Sequence, residues 1–362
     1  MCASMPSETS PGSSGSSDPS NRARGAPGRS PAIAQSITQS EGTETTIGDS
    51  ETVGIITIAP PQALFVDTGR IGWAHLAVTA AGAFDRRSYR LANRLVGNPE
   101  TATALELVLG PIEIWFDRAA TIALTGITAA VTTHDHPDTR TPRRQHSTHT
   151  TLTLPAGVLL RIGVAASGLR GYLAIRGGFD APVTLGSRSA DTMSGLGPPL
   201  LTTGAPLSRF AITPTAAQLR WSPVDTWHHA ATHVSQHMPL ASVHHPTADC
   251  VIGLLPPPRP LPNLDTMRML TESTWVVAPD SNRVGIRLTG SYVELPRAPH
   301  APSEPLIRGA IQLPPDGAPI IMGPDHPTTG GYPVIGAVPE ADLDVLAQLR
   351  PGSTLRFRPL PT

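Results

Sequence analysis

The stretch VGIITIAPPQALFVDTG, Val53–Gly69, consists of two short β-branched runs split by a proline pair and closed by a glycine. Val, Ile and Thr are stiff at χ1 and pack well on a pleated surface, while Pro and Gly punctuate the chain. This is the language of strand, turn and strand. The same texture recurs in IEIWFD (112–117), ATIALTG (120–126), TLTLPAG (151–157), VLLRIG (158–163) and RGYLAIRGG (170–178). It returns in STWVVAP (273–279), APIIMGP (318–324) and STLRFRP (353–359). Many short strands with regular Gly and Pro, and few helices, predict a mainly β fold of barrels or sandwiches.

One segment reads as helix. In FDRRSYRLANRLVGNPE (84–100), Tyr89, Leu91, Ala92, Leu95 and Val96 recur at helical spacing, Asp85 stands as N-cap, and Gly97, Asn98 and Pro99 stop the run. Upstream, residues 1–52 are rich in Ser, Gly, Pro and Thr with almost no large apolar side chains. Such a segment buries too little to offset its ordering entropy, so a disordered tail is expected. Between Trp221 and Asp249, His229, His233 and His237 fall at intervals of four, which on a helix would suit a metal. No glutamate stands between them as a general base, so the segment reads as an insertion or linker that tolerates histidine. His134, His136, His146 and His149 likewise sit in a Thr/Arg/Pro-rich loop-like stretch, and no metal site is expected. The expected organisation is a first barrel region at 53–220, the His-rich insertion at 221–249 and a second barrel region at 250–362.

The chain has 362 residues and a formal net charge of -1, which argues against general attraction to nucleic acid or anionic membrane. All 27 residues counted as Lys+Arg are Arg. Without lysine there can be no Walker A phosphate loop, no pyridoxal Schiff base and no covalently attached biotin. Arg must do all the cationic work, and its planar fork suits carboxylate and phosphate. Cys2 and Cys250 offer neither a disulfide framework nor a zinc pattern. No apolar run approaches the ~20 residues that cross a bilayer, and the start lacks the order of a secretory signal, so a soluble cytoplasmic protein is expected.

Four Gly-flanked polar clusters lie where a strand-rich fold puts loops. The first, DTGRIGWAH followed by AAGAFDRRSYRLAN, offers Asp67, Arg70, His75, Asp85 and Asn93. The second, IRGGFDAPVTLGSRSAD, carries Arg176, Gly178, Ser187, Arg188, Ser189 and Asp191. The third, PDSNRVGIR, offers Ser281 and Arg283. The fourth, PDHPTTGGYP, holds Asp325, His326, Thr328, Thr329, Gly330, Gly331 and Tyr332, with Gln312 and Asp316 just before it. Clusters joined to rigid strands predict one composite site assembled from distant sequence. Gly330 and Gly331 would admit dihedrals closed to other residues and leave their amides bare to a small, oxygen-rich ligand.

In this order, the segments VDTGRIGWAHLAVTAAGAFDRRSYRLANRLVGNPETATALELVLG, LAIRGGFDAPVTLGSRSADTMSGLG, VAPDSNRVGIRL, GAIQLPPDGAPIIMGPDHPTTGGYPVIG and LAQLRPGSTLRF resemble the biotin-dependent carboxyltransferase-like family. That family includes KipA, allophanate hydrolase subunit 2-like proteins and the C subunit of bacterial 5-oxoprolinase. The resemblance implies two cyclophilin-like β-barrel domains with few helices. It also implies a KipI-like partner and a LamB/YcsF-like partner, together opening 5-oxo-L-proline to L-glutamate with ATP. Mg is expected to accompany that ATP, in a site shared with the partner. Relatives within urea carboxylase move a carboxyl group from carboxybiotin to urea, and a KipA-type regulator would instead bind a KipI-like kinase inhibitor. The sequence departs from the family pattern at Thr68, Phe84, Asn282 and Pro327, where Leu, Met, an acid and Gln are usual.

On this basis Asp67, His75, Asp325 and His326 are the candidates for proton handling. The expected ligand contacts are Arg70, Asn93, Arg176, Gly178, Ser187, Arg188, Ser189, Asp191, Ser281, Arg283, Gln312, Asp316, Thr328, Thr329, Gly330, Gly331 and Tyr332.

Overall fold

The computed structural model describes residues 50–139, 141–210, 249–257, 259, 265–293 and 303–361. The expected tail up to residue 49, and His229, His233 and His237 of the His-rich segment, lie outside the described residues.

The first half runs β1 (Ser50–Ile58), β2 (Gln62–Val66), helix α1 (Arg86–Leu95), β3 (Ala104–Val108), β4 (Ile112–Phe116), β5 (Ala120–Thr125) and β6 (Val131–His134). It continues with β7 (Arg144–His146), β8 (Thr151–Leu154), β9 (Val158–Ile162), β10 (Arg170–Ile175), β11 (Phe179–Asp180) and β12 (Pro206–Phe210). Every strand-like stretch quoted from this half is a strand. The first begins at Ser50, a few residues earlier than its composition suggests, because Ser50–Thr52 pair with Ser208–Phe210 of β12.

These strands form two sheets, ordered β11-β12-β1-β4-β9-β6-β7 and β2-β3-β10-β5-β8. Their facing sides share one core, with Ile56, Ile114 and Leu160 from one sheet against Leu105, Ile122 and Leu173 from the other. Each such side chain contributes roughly 1.5–3 kcal/mol relative to exposure. On the outer side of the five-stranded sheet lies α1, placing Tyr89, Ala92 and Val96 against Leu64, Ala104, Tyr172 and Ala174. Asp85 is its N-cap and accepts the Ser88 backbone N–H at 2.8 Å, as the sequence predicts.

The second half comprises β13 (Asp249–Leu254), α2 (Asp265–Glu272), β14 (Trp275–Val277), β15 (Gly285–Thr289), β16 (Glu304–Pro305), β17 (Ala310–Gln312) and β18 (Ile320–Met322). Then follow β19 (Thr329–Gly330), β20 (Val334–Ala337), α3 (Glu340–Leu346) and β21 (Thr354–Pro359). Seven strands form a sheet ordered β13-β21-β14-β15-β18-β17-β20, and β16 pairs with β19. A second core gathers Ile252, Trp275, Leu288, Ile321, Ile335 and Phe357. Helices α2 and α3, with 8 and 7 residues, are too short for a clear period to show in the sequence. The fold is mainly β with three α-helices among the described residues, none long and apolar enough to cross a membrane.

Phe84 joins the halves. It precedes α1 in the chain, yet its ring belongs to the second core and lies 4.3 Å beneath the Arg170 guanidinium of β10. The polar residues that converge in space do so around this crossing.

Candidate functional site

Asp67 directly follows β2, and its carboxylate is surrounded by donors. Oδ1 accepts from the Gly69 amide (2.8 Å) and the Ser187 and Ser189 hydroxyls (both 2.6 Å), while Oδ2 accepts the Arg188 amide at 2.6 Å. An ionised carboxylate offers about four acceptor positions, and four donors converge on this one, three of them on Oδ1. The first and second polar clusters therefore form a single unit. Asp67 organises that unit, and the geometry does not support the proton-handling role expected of it. Gly69 is required at this turn, because its φ is +86° and a Cβ would lie 2.4 Å from the Ala80 carbonyl.

Arg70 extends from the same turn into the interior. Nε donates to the Thr184 carbonyl at 3.4 Å and Nη2 donates to the Ser189 carbonyl. Burial lowers the guanidinium's pKa, opposed by the nearby charges of Asp191, Asp67 and Asp325. Asp191 closes the loop after Ser189: Oδ2 accepts from Thr79 Oγ1 (2.6 Å) and the Ser194 hydroxyl, and Oδ1 accepts the Met193 amide (2.9 Å). Burial opposes its charge, but these donors outweigh that and hold its carboxyl below the usual range.

The third and fourth clusters meet in a buried ion network. Arg283 donates from Nε to Asp325 Oδ2 (2.9 Å) and from Nη2 to Asp325 Oδ1 (2.8 Å), a bidentate fork. Its Nη1 donates to Glu106 Oε1 (2.7 Å), and Nη2 also reaches the Gly82 carbonyl (2.7 Å). Asp325 is tied back to the second cluster by the Thr192 amide (2.9 Å) and hydroxyl (2.7 Å). Glu106 Oε2 accepts the Phe84 amide (2.9 Å) and the Tyr172 hydroxyl (2.8 Å). Burial alone would raise the Glu106 pKa, but Arg283, Arg170 and the Phe84 amide override it and the net shift is downward. Burial likewise opposes the charge of Arg283, yet Asp325 and Glu106 raise its pKa. Side chains from positions 106, 170, 283 and 325 thus bind the two halves into one charge-compensated cluster.

His326 follows Asp325 and is buried. Its Nδ1 donates to the Pro327 carbonyl at 2.7 Å, a carbonyl being able only to accept, and this leaves Nε2 as the basic nitrogen of the neutral ring. Burial lowers its pKa, the Pro327 carbonyl partly offsets this, and the Arg308 charge adds to it. A buried, neutral imidazole beside a fixed ion network is suited to accepting a proton at neutral pH.

Several expected contacts are placed elsewhere. His75 is exposed on a short 3-10 turn and stacks on Trp73. Asn93 donates to the Ala102 carbonyl (2.8 Å) and accepts from Asn98, Arg176 reaches the Val96 carbonyl (3.2 Å), and Gly178 forms a tight turn with φ +76°. Asn93 and Arg176 secure the end of α1, and Gly178 turns the chain between β10 and β11. The Ser281 hydroxyl pairs with the Arg287 backbone, and exposed Asp316 accepts the Ala318 amide. In the Gly-Gly stretch, neither Gly330 nor Gly331 adopts the left-handed region, contrary to expectation. Gly330 is small for a different reason: a Cβ there would lie 2.4 Å from Gln312 Nε2, which donates to the Tyr332 carbonyl at 3.1 Å. Thr329 and Gly330 pair with β16, the Thr328 carbonyl accepts the Leu306 amide, and Tyr332 is exposed at 46%.

Sequence reading passed over Glu106, Arg170, Tyr172, Thr192, Arg308 and Gln348. Arg170 sits inside a run that reads as an ordinary strand, and Glu106 inside β3, which the sequence reading did not single out. A charged residue within a strand otherwise buried on both faces was the available signal, since such a charge must be paired.

The family model described as the carboxyltransferase domain, subdomain A and B, matches residues 76–359. The chain belongs to this carboxyltransferase domain family. Within it, the chain is 30% identical over 308 residues to the C subunit of 5-oxoprolinase from Haemophilus influenzae, covering 82% of this chain and 87% of the relative. The Escherichia coli counterpart of that relative is 31% identical over 293 residues, covering 80% and 86%. Among solved structures, the Kluyveromyces lactis urea carboxylase superposes with a TM-score of 0.73 at 28% identity. That match covers 86% of this chain but 28% of the urea carboxylase chain. This carboxyltransferase-family chain is thus similar to most of a subunit in one case and to one segment of a larger enzyme in the other.

Proposed function

We propose that the chain is a subunit of an ATP-dependent 5-oxoprolinase that, with a KipI-like and a LamB/YcsF-like partner, opens 5-oxo-L-proline to L-glutamate. The observation that carries this reading is the similarity to the 5-oxoprolinase C subunit along 87% of that relative's length. The reaction adds water across the lactam C–N bond. The water oxygen joins the carbonyl carbon, and the ring nitrogen leaves as the amine with the proton it gains. His326, through Nε2, takes the proton from the attacking water. Asp325 and Arg283 hold the His326 backbone in place.

ATP would supply activation of the lactam carbonyl, its terminal phosphoryl group being released as phosphate with a second water and ADP left behind. The residues gathered here do not form a phosphate cradle, because Ser187, Ser189 and the Arg188 amide are turned onto Asp67, and Arg283 is committed to two carboxylates. On this reading nucleotide binding, with any Mg, is shared with the partner subunit. The test is glutamate formation from 5-oxoproline and ATP with all three proteins, omitting each in turn. Activity that requires all three supports the reading, and none from the assembled complex refutes it.

A second reading, carboxyl transfer from carboxybiotin to urea, is favoured by the TM-score of 0.73 to urea carboxylase. It would require a separate biotin carrier, since this chain has no lysine. Urea-dependent turnover with such a carrier, and none with 5-oxoproline, would select it.

A further inference from the structure

Arg70 is 2% exposed, and its three nitrogens fare differently. Nε and Nη2 are taken by the Thr184 and Ser189 carbonyls, whereas Nη1 is buried with no hydrogen-bond partner among the described residues. Leaving a buried donor unpaired is unfavourable, and more so when it is charged. Nε of Arg170 and Nε of Arg188 also lack hydrogen bonds, but they lie 3.6 Å from Glu106 and 3.7 Å from Asp180. The fold keeps room for the Arg70 group. Gly197 has φ +86°, and a Cβ there would lie 2.8 Å from Arg70 Nη2.

Charge decides which acceptor the unpaired donor favours. Asp191, Asp67 and Asp325 all act on Arg70 through space, and Arg283 neutralises Asp325. Arg70 is thus left facing two formal negative charges. An incoming anion would add a third in a low-dielectric interior, whereas a carbonyl oxygen satisfies the donor and adds no charge.

From this we infer that Arg70 Nη1 binds the carbonyl oxygen of an uncharged amide, lactam or ureido group. This inference rests on the proposed function, in which the substrate contains such a group. It deepens that reading by assigning Arg70 to the carbonyl and not to a substrate carboxylate. A lactam and urea both carry this carbonyl, and only 5-oxoproline carries the carboxylate.

The test titrates the purified full chain with 2-pyrrolidinone and acetamide, and with acetate and inorganic phosphate at matched ionic strength. The readout is the Arg Nε–Hε NMR cross-peak that disappears in Arg70→Gln. The amides should shift it saturably, and R70Q should weaken amide binding roughly tenfold or more, as for loss of one charge-assisted hydrogen bond. A saturable response to acetate or phosphate stronger than to the amides, or none to any amide, overturns the inference. If R70Q does not fold, R70K identifies the peak and the wild-type titration decides. Saturable amide binding without turnover in the three-protein assay would refute the oxoprolinase reading alone, and turnover without amide binding at Arg70 would refute this inference alone.

Discussion

Gln348 Nε2 donates to Asp85 Oδ2 at 2.6 Å, joining the segment after the last helix to the N-cap of the first. The same side chain accepts the Leu169 and Arg170 amides (2.8 and 3.0 Å) and donates to the Arg170 carbonyl (3.0 Å). One buried amide thereby satisfies four groups from two distant segments of the first half.

Replacing Gln348 with Leu keeps the bulk and takes a partner from each of the four, although Asp85 Oδ2 keeps the Ser88 hydroxyl. Each buried polar group left unpaired costs about 1–3 kcal/mol, so Gln348→Leu should lose about 3 kcal/mol or more. Urea denaturation of the purified chain checks this, and a loss comparable to a surface substitution would show that the junction is not held this way.

Asp85 is raised from its ordinary 3.8 to about 6, by burial first and by the Asp344 charge second. The folded state therefore binds this proton more tightly than the unfolded chain. Stability is highest below about 4 as far as this group is concerned, and falls as pH rises towards and through about 6. A shift of this size corresponds to about 3 kcal/mol. In Asp85→Asn the slope between pH 4 and 6 should flatten, leaving the smaller contribution of Asp344, which burial also raises. Denaturation midpoints across that range would reveal an unchanged slope if the assignment is wrong.

Arg283 is held between Asp325 and Glu106 with all three side chains fully buried. Removing the cation leaves Asp325 uncompensated and Glu106 with Arg170 alone, a change that costs about 3–5 kcal/mol. Arg283→Ala should be severely destabilised, and Arg283→Lys should recover little, because a point-charge ammonium cannot reproduce the bidentate fork. Near-complete rescue by lysine in thermal unfolding would contradict the geometric account.

His326 has its pKa lowered, chiefly by burial, so it stays neutral to lower pH than a free histidine. With the complete assembly, the acid limb of kcat against pH should lie below 6.5, the ordinary histidine value. His326→Gln should lower kcat by roughly 10²–10⁴-fold and abolish that limb. A limb that persists in the variant would assign the proton to another group.

The strand texture was readable because it is local: β-branched runs between Pro and Gly, and one capped helical period at Asp85–Val96, specify their own backbone states. The four polar clusters could also be found, since each is short and Gly-flanked. Their roles could not. Asp67 and Asp325 have similar settings in the sequence, yet one is held by loop donors and the other by a guanidinium 42 residues earlier in the chain. Glu106 and Arg170 are hidden in strands, and Gln348 follows a helix too short to register.

Sequence by itself determined the strand-rich texture, the one capped helix, the exclusion of lysine chemistry and the places where polar groups concentrate, because those depend on near neighbours along the chain. Tertiary structure decided which partners hold each acid, that Phe84 crosses into the second core, and that Arg70 Nη1 has no partner among the described residues. Those properties depend on burial and on partners from distant sequence, and only the folded chain brings the partners within hydrogen-bonding distance.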